Sequence, residues 1–131
     1  MNLTLEADYA IRIIYLLAEE NRRLEAKYIA EKSGVTLRFS LKILRKLVAS
    51  EMVRSFKGTQ GGYELNREPR EISLYDIISL IDGPYNFSRC GEENFVCTRV
   101  ADKNCRIRQV FCKITKSVID QLKQTKISDL L

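Results

Sequence analysis

Among its 131 residues the chain has no histidine, which removes the side chain that most often serves as a general base near neutral pH. It also has no nucleophile elbow, phosphate-binding glycine loop or paired-carboxylate spacing, so no catalytic activity and no small-molecule substrate are expected. No apolar run is long enough to span a bilayer, which excludes a membrane role. The start, Met1 to Leu17, mixes Glu6, Asp8 and Arg12 into its apolar residues, where a secretory signal needs a basic start and an unbroken apolar stretch. A cytoplasmic location is expected. Low-complexity tracts and internal repeats are missing too. The four cysteines, Cys90, Cys97, Cys105 and Cys112, are spaced by seven, eight and seven residues, which disfavours the close pairs of a zinc ribbon. In a reducing compartment such cysteines are metal ligands, redox sensors or core residues before they are a disulfide framework.

What is present reads as one domain with an added arm, at 45% apolar and 30% charged residues. The net charge of +5 is concentrated: between positions 36 and 57, Arg38, Lys42, Arg45, Lys46, Arg54 and Lys57 face only Glu51, and six minus one is the whole excess. A basic patch confined to one segment suits a polyanion, although alone it is often a solvated face.

Periodicity predicts a first helix over Leu3 to Glu20, with a stripe at Leu5, Tyr9, Ile13, Leu16 and Leu17. A short second helix, Ala26 to Ser33, turns Ile29 and Ala30 inward and stops at Gly34. Thr36 can cap a third helix to about Ser50, with Phe39, Ile43, Leu44, Leu47 and Val48 on one side and Arg38, Lys42, Arg45 and Lys46 on the other. Met52 to Phe56 and Tyr63 to Leu65 read as strands joined by Lys57-Gly58-Thr59-Gln60-Gly61-Gly62, whose three glycines permit positive φ. Ser73 and Asp76 resemble a capping box opening a fourth helix through Ile77, Ile78 and Ile81 to Gly83-Pro84, where the folded core could end. A loop of about twenty residues, Tyr85 to Asn104, follows, unusually long for a compact domain unless functional or disordered, and the two cysteines in it argue for function. From Cys105, Ile107, Val110, Phe111, Ile114, Val118 and Leu122 form a last helical stripe that asks for a partner surface.

Two helices around a tight turn, the second basic outside and followed by a glycine-rich hairpin, make a winged helix-turn-helix, and the fold class is mainly α. The domain reading is 1–84 for the winged helix-turn-helix, 85–104 for the cysteine loop and 105–131 for the last helix and tail. The third helix would enter the major groove of double-stranded DNA with Arg38, Leu41 and Lys42 towards base edges. Lys57 would reach backbone or minor groove, and Thr36, Thr59 and Gln60 phosphates. A protein-interaction module whose DNA contact is incidental is the competing class.

The sequence resembles the IscR, NsrR and CymR group of bacterial regulators, the Rrf-two family, over nearly the whole chain. The resemblance rests on Leu3-Thr4 with Asp8-Tyr9-Ala10, Tyr28-Ile29-Ala30-Glu31 with Gly34-Val35, Phe39 with Lys42-Ile43-Leu44, and Lys57-Gly58 with Gly61-Gly62-Tyr63. It implies a homodimer built on the helix from Cys105 to about Gln124, with Ile107, Val110, Phe111, Ile114, Val118 and Leu122 packing across a twofold axis, and so a palindromic operator and a repressor's role. Two positions depart from the pattern: Ser40 stands where members usually carry leucine, and Leu41 where many carry a polar residue.

The spacing also resembles the three-cysteine loop of the cluster-binding members, which maps onto Cys90, Cys97 and Cys105; thiolates are the preferred ligands of iron-sulfur clusters. The cluster type, 2Fe-2S or 4Fe-4S, stays open. Cys105 is expected at a helix N-terminus, which favours a thiolate, with Arg89, Arg99, Lys103, Arg106 and Arg108 nearby. Cys112 lies seven residues on, about 10 Å along the axis at ~1.5 Å per residue, and is read as packing or a reserve thiol. In the nitric-oxide-sensing branch an acidic residue of the partner's first helix completes the ligand set, and Asp8 matches that place. Such a cluster would sense iron-sulfur status, nitric oxide or redox state. The alternatives are an exposed carboxylate at Asp8, and free thiols or a disulfide switch in a cluster-free regulator.

Overall fold

The computed structural model describes residues 2–99 and 104–131. Helix α1 (Leu5–Glu20) starts at Thr4, whose hydroxyl accepts the Ala7 amide at 3.1 Å and donates to Asp82 at the end of α4 (Leu74–Asp82). One side chain thus caps α1 and ties it to a helix some seventy positions away. The inward face of α1 is Ala7, Ala10, Ile13, Ile14 and Leu17. Leu5, expected in that stripe, is 61% exposed, and Tyr9 is half-buried. The small Ala7 and Ala10, both fully buried, stand on the inward face in place of Leu5, and Tyr9 packs at its edge.

Helix α2 (Ala26–Ser33) buries Ile29 and Ala30 and ends at Gly34, φ 70°. Helix α3 (Leu37–Ala49) is capped by Thr36, whose hydroxyl accepts the Phe39 amide at 3.2 Å, and buries Ile43, Leu44 and Leu47 completely. Phase also decides the two departures noted above: Ser40 takes an inward position with no exposure, and Leu41 is half-buried at the edge of the basic face.

Strands β1 (Val53–Phe56) and β2 (Gly62–Leu65) pair antiparallel, with Val53 opposite Leu65 and Phe56 opposite Gly62. The α1–α2 turn joins them: Leu24 and Tyr63 exchange two backbone hydrogen bonds of 2.8 Å. A Cβ on Gly62 would lie 2.5 Å from the Leu24 carbonyl oxygen, so this glycine makes the third strand-like contact possible. Gly61 is needed for room rather than for positive φ, since a Cβ there would meet the Phe56 carbonyl oxygen at 2.6 Å.

In α4 the expected capping box is present in both directions, Ser73 hydroxyl from the Asp76 amide and Asp76 carboxylate from the Ser73 amide. Helix α5 (Arg106–Gln124) packs on α4, with Cys105 as its N-cap. The core extends beyond Gly83-Pro84, where the sequence reading had it end. After α5 the chain returns along Ile72, which accepts the Ile127 amide at 2.9 Å, and Ile127 is fully buried in the main cluster with α1. Ile127→Ala is expected to cost about 2–5 kcal/mol in denaturant unfolding, as for other buried isoleucines cut to alanine. Among the described residues, no helix is long and apolar enough to cross a membrane.

Candidate nucleic-acid interface and cysteine pocket

The buried stripe of α3 leaves its opposite face outside, and Thr36, Arg38, Phe39, Lys42 and Arg45 line an open concavity there. Phe39 forms the floor, edge-on to Tyr9 with ring centroids 5.5 Å apart and under the Lys42 ammonium at 5.4 Å. The face is less positive than the stretch 36–57 suggested. Glu6 in the first turn of α1 pairs with Lys42 at 3.5 Å and with Lys46. The hydrogen bond from Lys46, opposed by burial and aided by both ammonium charges, holds the Glu6 carboxyl below the usual carboxylate range. Arg38 and Arg45 have no carboxylate partner among the described residues.

On the wing, Lys57, Thr59 and Gln60 are exposed, as a nucleic-acid contact requires. Sequence reasoning missed what steadies them. The Arg23 guanidinium lies 3.3 Å from the Phe56 ring centroid and donates to the Gln60 carbonyl at 3.1 Å. Its neighbour Arg22 stacks 5.3 Å from Tyr28 and pairs with Glu20, and Arg22, Arg23, Tyr28, Thr59 and Gln60 share one concavity. The signal was the pair Arg22-Arg23 in a turn, readable only once Leu24 is known to join the wing.

The second feature lies where the loop after α4 meets α5. Phe87 anchors it, its amide donating to the Thr115 hydroxyl at 3.0 Å and its ring 5.3 Å from Phe111. Cys90, in a short turn over Arg89–Gly91, Cys97 and the N-cap Cys105 are all half-buried and line one cavity of about 310 Å³, together with Arg89, Arg99, Arg108 and Phe95. The Cys90 thiol is 2.9 Å from the Ser88 hydroxyl. Among the described residues, no three histidine, cysteine or acidic side chains stand close enough to hold a metal ion. The donor set still fits an anionic iron-sulfur group in kind: three thiols and three guanidiniums lining one cavity, and a helix N-terminus at Cys105. Lys103, named with these cations, lies outside the described residues.

Cys112 does not line the cavity and is exposed, so it is not a core residue. Asp8 does not line it either; its carboxylate is 44% exposed and pairs with Arg12 at 2.8 Å. The α5 stripe divides. Phe111, Val118 and Leu122 are half-buried against the subunit, whereas Ile107, Val110 and Ile114 stay exposed at 53%, 54% and 37%.

The chain matches the Rrf2 family model, described as iron-dependent transcriptional regulators, over 3–131. An rrf2-like HTH-type transcriptional regulator of Rhodobacter capsulatus is 32% identical, covering 98% of this chain and 91% of its own. The fold is that of CymR, the global cysteine regulator of B. subtilis, with a TM-score of 0.84 at 24% identity, over 99% of this chain and 95% of that one. It is also that of T. potens IscR, with a TM-score of 0.75 at 26% identity, over 99% and 85%. A basic helix beside a glycine wing and a family match over almost the whole length agree: the chain belongs to the Rrf2 family and is a DNA-binding transcriptional regulator of winged helix-turn-helix fold, not an enzyme.

Proposed function

We propose that two copies of this chain form a cytoplasmic repressor that grips a palindromic operator and is governed by an iron-sulfur cluster. The observation that carries the DNA part is the open face of α3, with Arg38, Lys42 and Arg45 outward, next to a wing that Arg23 holds in place. Arg38, Leu41 and Lys42 meet the major groove, Lys57 the backbone or minor groove, and Thr36, Thr59 and Gln60 the flanking phosphates. Exposed Ile107, Val110 and Ile114 support the pairing, since a ridge of three aliphatic side chains along one helix is better buried than wet. With Phe111, Val118 and Leu122 beneath them, a second α5 would complete the interface.

Cys90, Cys97 and Cys105 would hold the cluster, and Asp8 of the partner subunit would supply the remaining ligand after leaving Arg12. When bound, the cluster supplies iron that nitric oxide, oxygen or iron shortage can alter. The chain's own part is to hold three thiols and Arg89, Arg99 and Arg108 around one cavity at the foot of α5, so that a change there reaches the pairing helix. A cluster-free regulator answering to a partner protein or a thiol/disulfide switch is the second reading. It is favoured by the spread of the thiols, which are not drawn to metal-binding distance among the described residues.

The test is a salt titration of binding to promoter fragments by protein purified without oxygen, with iron and sulfide counted per chain. Affinity that falls steeply with salt, together with stoichiometric iron, supports the proposal. Salt-steep binding by protein that takes up no iron on reconstitution moves it to the cluster-free reading.

A further inference from the structure

Glu6 stands out as a carboxylate turned towards the face that DNA must approach. It sits in the first turn of α1, where the helix dipole favours negative charge, yet its side chain is only 18% exposed because it reaches across to α3. There it contacts Lys42 at 3.5 Å and hydrogen-bonds Lys46. The two lysines are one turn apart and flank the carboxylate from both sides, while remaining 53% and 40% exposed themselves. Arg38 and Arg45 on the same face have no such partner among the described residues.

We propose that Glu6 is a specificity-determining residue: by holding Lys42 and Lys46 it withholds two recognition-helix cations from sequence-independent contact with duplex phosphates. The inference rests on the reading of α3 as the DNA-contacting helix. Binding to an arbitrary duplex draws its free energy almost entirely from phosphate neutralisation and the release of condensed counterions. A tethered carboxylate competes with phosphate for the same ammonium groups, and so weakens that mode directly. Base-edge contact from Arg38 does not pass through Glu6 and is spared, and Lys42 has to leave the carboxylate, which it does only where a base edge offers it a partner. The loss in affinity therefore falls mostly on wrong sites. Glutamine in place of Glu6 keeps the length and hydrogen-bonding capacity of the side chain and removes only its charge.

Binding of the full-length native chain, Glu6→Gln, Lys42→Gln/Lys46→Gln and the triple variant to a mixed-sequence duplex of about two helical turns would be measured from about 50 to 200 mM salt. Glu6→Gln is expected to bind about tenfold or more tightly at the low end, with a log–log salt slope steeper by about 0.9 for each lysine released. The lysine pair should matter more in the Glu6→Gln background than in the native one, which a merely structural role for Glu6 would not produce. Unfolding midpoints identify any variant whose change reflects folding. Unchanged affinity and slope in Glu6→Gln, or weaker binding, would overturn the inference while leaving α3 as the DNA-contacting helix. Failure of every protein, native included, to bind duplex at low salt removes both.

Discussion

Cys105→Ser is expected to strip anaerobically reconstituted protein of most of its bound iron and visible absorbance, while Cys112→Ser leaves both at native levels. The contrast follows from placement: Cys105 lies on the cavity wall with Cys90 and Cys97, and Cys112 is exposed away from it. Serine at position 105 is also a clean probe of ligation. The site is the N-cap of α5, where serine satisfies an exposed helix amide better than most residues, so the helix should hold as well as before. Iron and sulfide per chain, the absorption spectrum and the far-ultraviolet circular dichroism would be compared side by side. Equal iron in the native protein and in Cys105→Ser, with the fold intact, would exclude the three-cysteine cluster. Aspartate 8 can then be tested in the native cysteine background: Asp8→Ala should alter the spectrum if the partner's first helix contributes a ligand, and an unchanged spectrum returns Asp8 to its ion pair with Arg12.

Val110→Asp combined with Ile114→Asp should convert the dimer to monomers and lower DNA affinity by about 10²–10⁴-fold, the usual worth of linking two modest half-site contacts. Both side chains are exposed in the single subunit, so aspartate there meets water rather than core, and the winged domain should unfold at its native midpoint. In a dimer the same change would bury two carboxylates per subunit against their own symmetry mates, which charge repulsion and desolvation forbid. Sedimentation gives the assembly state and a duplex titration the affinity. A double variant that remains dimeric would move the twofold contact elsewhere, the apolar groove between α4 and the lower half of α5, lined by Leu3, Ile78, Val118 and Leu122, being the next surface to probe.

Much of the fold was legible in local chemistry. Gly34 ended α2, Thr36 opened α3 and the Ser73–Asp76 box opened α4, because each is decided by a few bonds within one helical turn. Cys105 preceded α5 by virtue of the apolar stripe that follows it, since its side chain makes no cap hydrogen bond. The wing strands fell within a residue of their observed limits because their glycine-rich connection marks them locally. The phase of α1 was harder: Leu5 outweighed Ala7 and Ala10 in a reading that weighs hydrophobicity, whereas the fold buries both alanines completely and leaves Leu5 exposed. Likewise nothing local marks Arg23, because its turn comes to lie beside Phe56 only through the fold.

From its residues alone this chain specified its helices, its turns, its glycine wing, the concentration of positive charge on α3 and a loop that holds cysteines without a packing reason. Tertiary structure decided which of those features meet: three cysteines spread over sixteen positions on one cavity, Glu6 against Lys42 and Lys46, Ile127 back in the core, and a last helix half-satisfied by its own subunit. The division is physical, because periodicity and capping act over one or two turns and leave their mark in neighbouring residues. Contacts between elements far apart in the chain depend on how helices cross, and no run of neighbouring residues records that angle.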